Sequence, residues 1–154
     1  MTPRNYWIGV VSRNHVERGV AGGFAQLSHG KAGPLERMHP GDGLVYYSPR
    51  TDFPDGEPVQ AFTAIGRVAA GAIFQAEDAD ETLFRREVEY LPAAEAPIKP
   101  LIEDLSFIRS KDHWGAAFRF GFLRVPEEDF ARIAKAMGRD FTRDFQDDRE
   151  AVSS

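Results

Sequence analysis

Between Gly22 and Met38 the chain reads GGFAQLSHGKAGPLERM, which places Gln26, Ser28, His29 and Lys31 close behind Phe24. An amide, a hydroxyl and an imidazole can meet the polar edge of a flat ring, and an ammonium can hold a phosphate. Glycine lets backbone N–H groups approach such a ligand closely. The spacing does not match a P-loop, because no Gly-Lys-Ser/Thr follows the glycines. Pattern alone favours a packed, Ω-like loop; an anion or base site is the other reading.

A second set of residues is aromatic. Tyr46 and Tyr47 are neighbours on a predicted strand and face opposite sides, so one enters the core and the other can line a cleft. Trp114 follows Lys111-Asp112-His113 and precedes Gly115, the setting of a loop. Aromatics on loops can sandwich a nucleobase while polar neighbours read its edge. Trp7 sits in an apolar run and reads as core.

Other chemistries find little support. His15, His29, His39 and His113 show no HxxxH spacing and no bracketing acids, so no metal site is predicted. Ser12, Ser28 and Ser48 lie in no G-x-S-x-G elbow, and Ser12 reads as a helix cap. The chain has no cysteine, which excludes disulfides and thiolate catalysis.

These residues need elements to position them. Asn5–Val11 reads as a strand buried on both faces, followed by one or two helical turns from Ser12 to Gly19. Residues 21–40 read as loop or weak helix, and His39–Gly43 as a turn. Leu44–Ser48 is a second strand, and Gln60–Phe74 a long one bent at Gly66 and Gly71. Phe84–Leu91 alternates, with Phe84, Arg86, Val88 and Tyr90 on one side. Leu101–Leu105 allows one helical turn. Ala116–Val125 also alternates, predicting a strand with Phe118, Phe120 and Phe122 on one face. Pro126-Glu127-Glu128-Asp129 opens a helix whose buried face is Phe130, Ile133, Ala134 and Met137. The sum is an α+β domain, a small curled mixed sheet or barrel with short helices in its connections. One domain is expected over 1–138. Residues 139–154 form a charged tail, or a helix folded onto the body through Phe141 and Phe145.

The 154 residues carry a net charge of −5. That is the wrong sign for gripping long nucleic acid through bulk charge, so such a role requires a local patch or a pocket for one base. No segment approaches the length of a membrane span, and a cytoplasmic location is expected.

The blocks YWIGVVSRNHV, GGFAQLSHGKAGPLERMHPGD, YYSP and FIRSKDHWGAAFRFGFLRVPEEDF together resemble the EVE domain family. That family lies in the PUA-like superfamily, beside the YTH and ASCH domains. The resemblance covers about Asn5 to Met137. It implies a PUA-like curled sheet with helices at its ends and a pocket for one nucleobase. By the same resemblance the chain is a reader or adaptor for modified DNA or RNA, or for a free nucleoside, and uses no cofactor. An effector would be a separate protein. Carried over by position, the base pocket comprises Ser12, Asn14, Gly23, Phe24, Gln26, His29, Lys31, Tyr47, Ser48, Trp114 and Arg119. The rival reading is a small hydrolase of the ASCH type acting on modified nucleosides, with Lys31 and either Glu36 or Asp42 as base and orienter.

Overall fold

A computed structural model describes residues 4–27, 31–78 and 81–146. His29 of the expected pocket, like its neighbour Ser28, lies outside the described residues.

The first strand, β1 (Tyr6–Val10), is central and buried on both faces, as its unbroken apolar run requires. It pairs in parallel with β3 (Gly43–Arg50) and antiparallel with β8 (Phe122–Val125). Parallel neighbours need a crossover. Here it consists of α1 (Arg13–Gly22), the short β2 (Phe24–Ala25) and α2 (Ala32–Arg37). Next to β3 come β4 (Pro58–Val68) and β6 (Glu81–Tyr90), and β2 closes the path beside β6. Off that path, β5 (Phe74–Asp78) pairs with β6, and β7 (Ala96–Pro97) with β4. The result is a curled, mixed half-barrel.

Two features curl the sheet. Tyr46 is paired with Ala64 but Tyr47 with Phe62, so Thr63 is an extra residue, a bulge in β4. At Gly66 a Cβ would come within 2.5 Å of the Glu89 carbonyl, so only glycine lets β6 cross β4 this closely.

The sheet buries a core on each face. One gathers Ile8, Val45, Tyr47, Phe62 and Ile65 under the 3-10 helices Lys99–Asp104 and Trp114–Phe118 and under α3 (Glu127–Ala136). The other gathers Trp7, Leu44, Tyr46 and Ala64 under α1 and α2, through Val16, Leu35 and Met38. The adjacent tyrosines do face opposite sides, but both are buried, at 2% exposure each.

Three expectations need correction. The first helix does not stop at Gly19. That glycine is buried inside α1, where a Cβ would meet the Phe24 carbonyl at 2.7 Å, and Gly23 in the left-handed region ends the helix instead. The long strand expected over Gln60–Phe74 is two strands, β4 and β5, broken after Val68. Ala116–Val125 is not one strand. A 3-10 helix ends at Phe118, a turn follows, and only Phe122–Val125 is extended. Phe118 and Phe122 are buried, while Phe120 is 87% exposed.

α3 is as the sequence predicts, with Phe130, Ile133 and Ala134 fully buried and three acids in its first turn. Beyond Gly138, Phe145 is fully buried against Phe130 at 5.0 Å and Phe141 packs beside it. The Asp144 carboxylate accepts hydrogen bonds from Arg139 Nε and Arg143 Nε. Of the two dispositions the sequence left open, residues 139–146 take the folded one.

Candidate functional site

The ends of β1, β3 and the loop before β8 meet at one edge of the sheet. Val10 N–H donates to the Gly121 carbonyl (2.8 Å) and Val11 N–H to the Tyr47 carbonyl (3.1 Å). Asn14 N–H donates to the Thr51 carbonyl (3.0 Å), which ties the first turn of α1 to the β3–β4 loop.

An aromatic corner stands at this edge. Tyr47 stacks on Phe118 with centroids 4.1 Å apart and planes at 13°. Trp114 meets both rings edge-on at 6.5 Å and is half-buried. The Tyr47 hydroxyl has no hydrogen-bond partner among the described residues. Ser12 occupies the N-cap position of α1, yet its hydroxyl makes no capping bond. The Asn14 side chain is likewise without a partner among the described residues. Three polar groups are therefore unused by the fold among the described residues, on segments whose backbones meet at this end of the sheet.

The corner is braced from behind. The Asp129 carboxylate is fully buried and accepts hydrogen bonds from Ser106 N–H, Ser106 Oγ–H and Phe107 N–H at 2.8–3.0 Å. Lys111 Nζ donates to the Ile102 and Leu105 carbonyls, both at 2.9 Å. These bonds fix both ends of the approach to Trp114.

Phe24 and Gln26 lie on the other face. The Arg85 guanidinium covers one side of the Phe24 ring at 4.1 Å, and a Cβ at Gly22 would strike that ring as well. Arg85 Nε donates to Gln26 Oε1 at 2.9 Å, and Tyr90 O–H to the Phe24 carbonyl at 2.8 Å. Phe24 is thus committed to the fold. His15, one turn into α1, lies with Nε2 3.3 Å from the Gln26 carbonyl, so the same helix turn touches both groups.

The structure therefore brings Ser12, Asn14, Tyr47 and Trp114 to one edge. Gly23, Phe24 and Gln26 lie across the sheet and reach that edge only through α1. Ser48 is fully buried and bonded to Thr63 Oγ1 at 2.8 Å. Lys31 and Arg119 are exposed. A hollow of about 270 Å³ between α1 and β4, lined by Arg13, Val16, Val20, Thr63 and Glu95 among others, contains none of the eleven expected residues. Asp42, one of the two acids of the hydrolase reading, is buried and accepts bonds from Asn5 N–H, Trp7 Nε1–H and His39 N–H, whereas Glu36, the other, is exposed. Asp42 anchors the turn before β3 and is not free to orient Lys31.

Arg86 was missed as a candidate. It is buried opposite Ala25, and its Nε has no hydrogen-bond partner among the described residues. Its place in the alternation of Phe84–Leu91 already put a cation on the inward side.

Burial pushes the Tyr46 and Tyr47 phenols up to about 12 and Tyr90 well above its ordinary value, Tyr90 also through the adjacent Tyr46. The unfolded chain ionises near 10, so stability is complete below pH 10 and falls as pH rises towards 12. A near-ultraviolet titration should show these three of the four tyrosines ionising together with unfolding. Ionisation of all four near pH 10 with the fold intact would contradict the burial.

Among the described residues no group of acids and histidines is arranged to hold a metal, and no helix is long and apolar enough to cross a membrane. The curled sheet with helices at its ends defines a PUA-like domain. The EVE domain model matches residues 5–136, and the chain belongs to the EVE domain family. It is 53% identical over 132 residues to a UPF0310 protein of Mycolicibacterium vanbaalenii, covering 85% of this chain and 91% of that one. It is 45% identical over 135 residues to the UPF0310 protein YdcG of Bacillus subtilis, covering 87% and 92%. The fold is similar to an NMR structure from Rhodopseudomonas palustris (TM-score 0.53, 16% identity, 87% and 93% covered). It is also similar to a crystal structure from Agrobacterium tumefaciens (TM-score 0.51, 17% identity, 88% and 94% covered).

Proposed function

We propose that the protein is a reader of modified nucleic acid that takes one base at the first turn of α1, without catalysis. Membership of the EVE family supports a nucleic-acid- or base-binding module. The observation that carries the reading is the end of the sheet where the Tyr47 hydroxyl, which lies on a ring edge-on to Trp114, and the Ser12 and Asn14 side chains lack partners among the described residues. Polar groups left unused at a half-buried site are suited to a ligand's hydrogen bonds, because bonding them costs the fold nothing. The Trp114 face stacks on the base, and Ser12, Asn14 and Tyr47 meet its edge. A modifying methyl that fills an apolar hollow adds about 0.8 kcal/mol, or about fourfold in affinity. A separate effector protein acts on the bound complex.

The test is a binding panel of short single- and double-stranded oligonucleotides, each with and without modified cytosine or adenine. One modification should bind at least fourfold tighter than its plain counterpart, at constant salt. Weak, salt-dependent and equal binding to every member would overturn the reading. Chemical turnover of any modified nucleoside in the same mixtures would overturn the non-catalytic part.

A further inference from the structure

Arg119 and Phe120 are the two corner residues of a turn closed by Gly121 N–H donating to the Phe118 carbonyl at 3.3 Å. Gly121 sits at φ 78°, a conformation that side chains beyond Cα disfavour. The turn is pinned from two sides. The Gly121 carbonyl receives Val10 N–H, and Phe118 beneath it stacks on Tyr47. Phe120 is therefore held outward on a firmly anchored corner, 87% exposed. Turn corners favour small polar residues, and a phenylalanine there adds nothing to either core.

The stretch of chain that carries it is positive. Residues 107–121 carry Arg109, Lys111 and Arg119 against Asp112 alone, a net +2 within a chain of −5. Arg109 and Arg119 are exposed and have no ion-pair partner among the described residues. Arg13, Arg67 and Arg139 differ, each being paired with an acid. An anchored aromatic face on a stretch of chain with unpaired, exposed guanidinium groups matches single-stranded nucleic acid, which offers stacking faces and phosphates in alternation.

We propose that Phe120 is a stacking platform for the base adjacent to the one held at the first turn of α1, with Arg119 and Arg109 on the flanking phosphates. The occupant of this loop is then a single-stranded tract. The proposal rests on the base-site reading above, and adds to it a reason why an oligonucleotide binds better than a free nucleoside.

The experiment compares wild type, Phe120→Ala, Phe120→Trp and Phe74→Ala on two probes. One is the modified single-stranded oligonucleotide that the panel selects, and the other is its free nucleoside. Phe74 is a second exposed phenylalanine, on β5 away from the site, and controls for loss of surface apolarity. Phe120→Ala should weaken oligonucleotide binding about 5- to 150-fold, the equivalent of one stacked base, and leave the nucleoside unchanged. Phe120→Trp should restore it, and Phe74→Ala should match wild type. Arg119→Ala should flatten the slope of log affinity against log salt by about 0.7, as expected for one lost phosphate contact on a single strand. Wild-type affinity of Phe120→Ala for the oligonucleotide would overturn the proposal and leave the base site standing. Equal losses on both probes would also overturn it. If wild type does not distinguish modified from plain strands, the base site itself falls, and the platform with it.

Discussion

Asp129→Ala should lower the stability of the protein by about 3–5 kcal/mol, a large share of the 5–15 kcal/mol that domains of this kind possess. Asp129 has no exposed surface, and its two carboxylate oxygens receive three hydrogen bonds from Ser106 and Phe107. Alanine takes the acceptor from Ser106 N–H, Ser106 Oγ–H and Phe107 N–H, at about 1–3 kcal/mol for each donor that water does not reach. For a chain of this length the melting temperature should fall by about 10 °C or more. Asp129→Asn keeps one acceptor oxygen and should recover part of the loss. Arg132→Ala removes only an ion pair at 3.6 Å to a half-exposed side chain, so it should cost well under 1 kcal/mol. A melting temperature within 2 °C of wild type for Asp129→Ala would show that the brace carries little load.

Trp114→Ala should reduce affinity for the preferred modified oligonucleotide about 5- to 150-fold, the loss of one stacking partner. The ring is half-buried and meets its neighbours only edge-on, so its removal should disturb the fold less than that of Tyr47. Trp114→Phe keeps a π-face and should bind within a few fold of wild type. Phe24→Ala is the informative contrast. Arg85 already covers that ring, so the substitution should lower stability and leave modified-base preference intact. Fluorescence anisotropy on the modified and plain strands reads both effects. Loss of preference in Phe24→Ala, with preference kept in Trp114→Ala, would move the site to the opposite face of the sheet.

The elements that the sequence made legible are those whose pattern is local. β1 is an unbroken apolar run, and α3 shows a proline–acid start with a clean inward stripe. Phe118, Phe120 and Phe122 deceived because a period of two suits a strand, whereas here a turn at Arg119-Phe120 falls between buried neighbours. Gly19 deceived because a glycine that stops a helix and one that admits a neighbouring carbonyl look alike in one dimension. The candidate site was legible in its residue types more than in its grouping. The partner that covers Phe24 is Arg85, sixty-one positions away, and the bulge at Thr63 that hands Phe62 and Ala64 to opposite cores has no signature of its own. Resemblance to a family names positions along the chain, but tertiary contacts decide which of them retain an unused hydrogen-bonding group.

The pairing of β1 with β8 has a consequence for how the protein is made. Tyr6–Val10 leaves the ribosome well before its antiparallel neighbour, Phe122–Val125. At about 5–20 residues per second, the first strand waits roughly 6–23 seconds for that neighbour. Throughout that interval an apolar strand has one open edge, the condition under which nascent chains associate with one another or with chaperones. Only when residues as far as Gly121 have emerged can its carbonyl reach Val10 and the aromatic corner be assembled. Ribosome-bound chains ending short of Phe122 should therefore have no competent binding edge, whatever their helices have already formed.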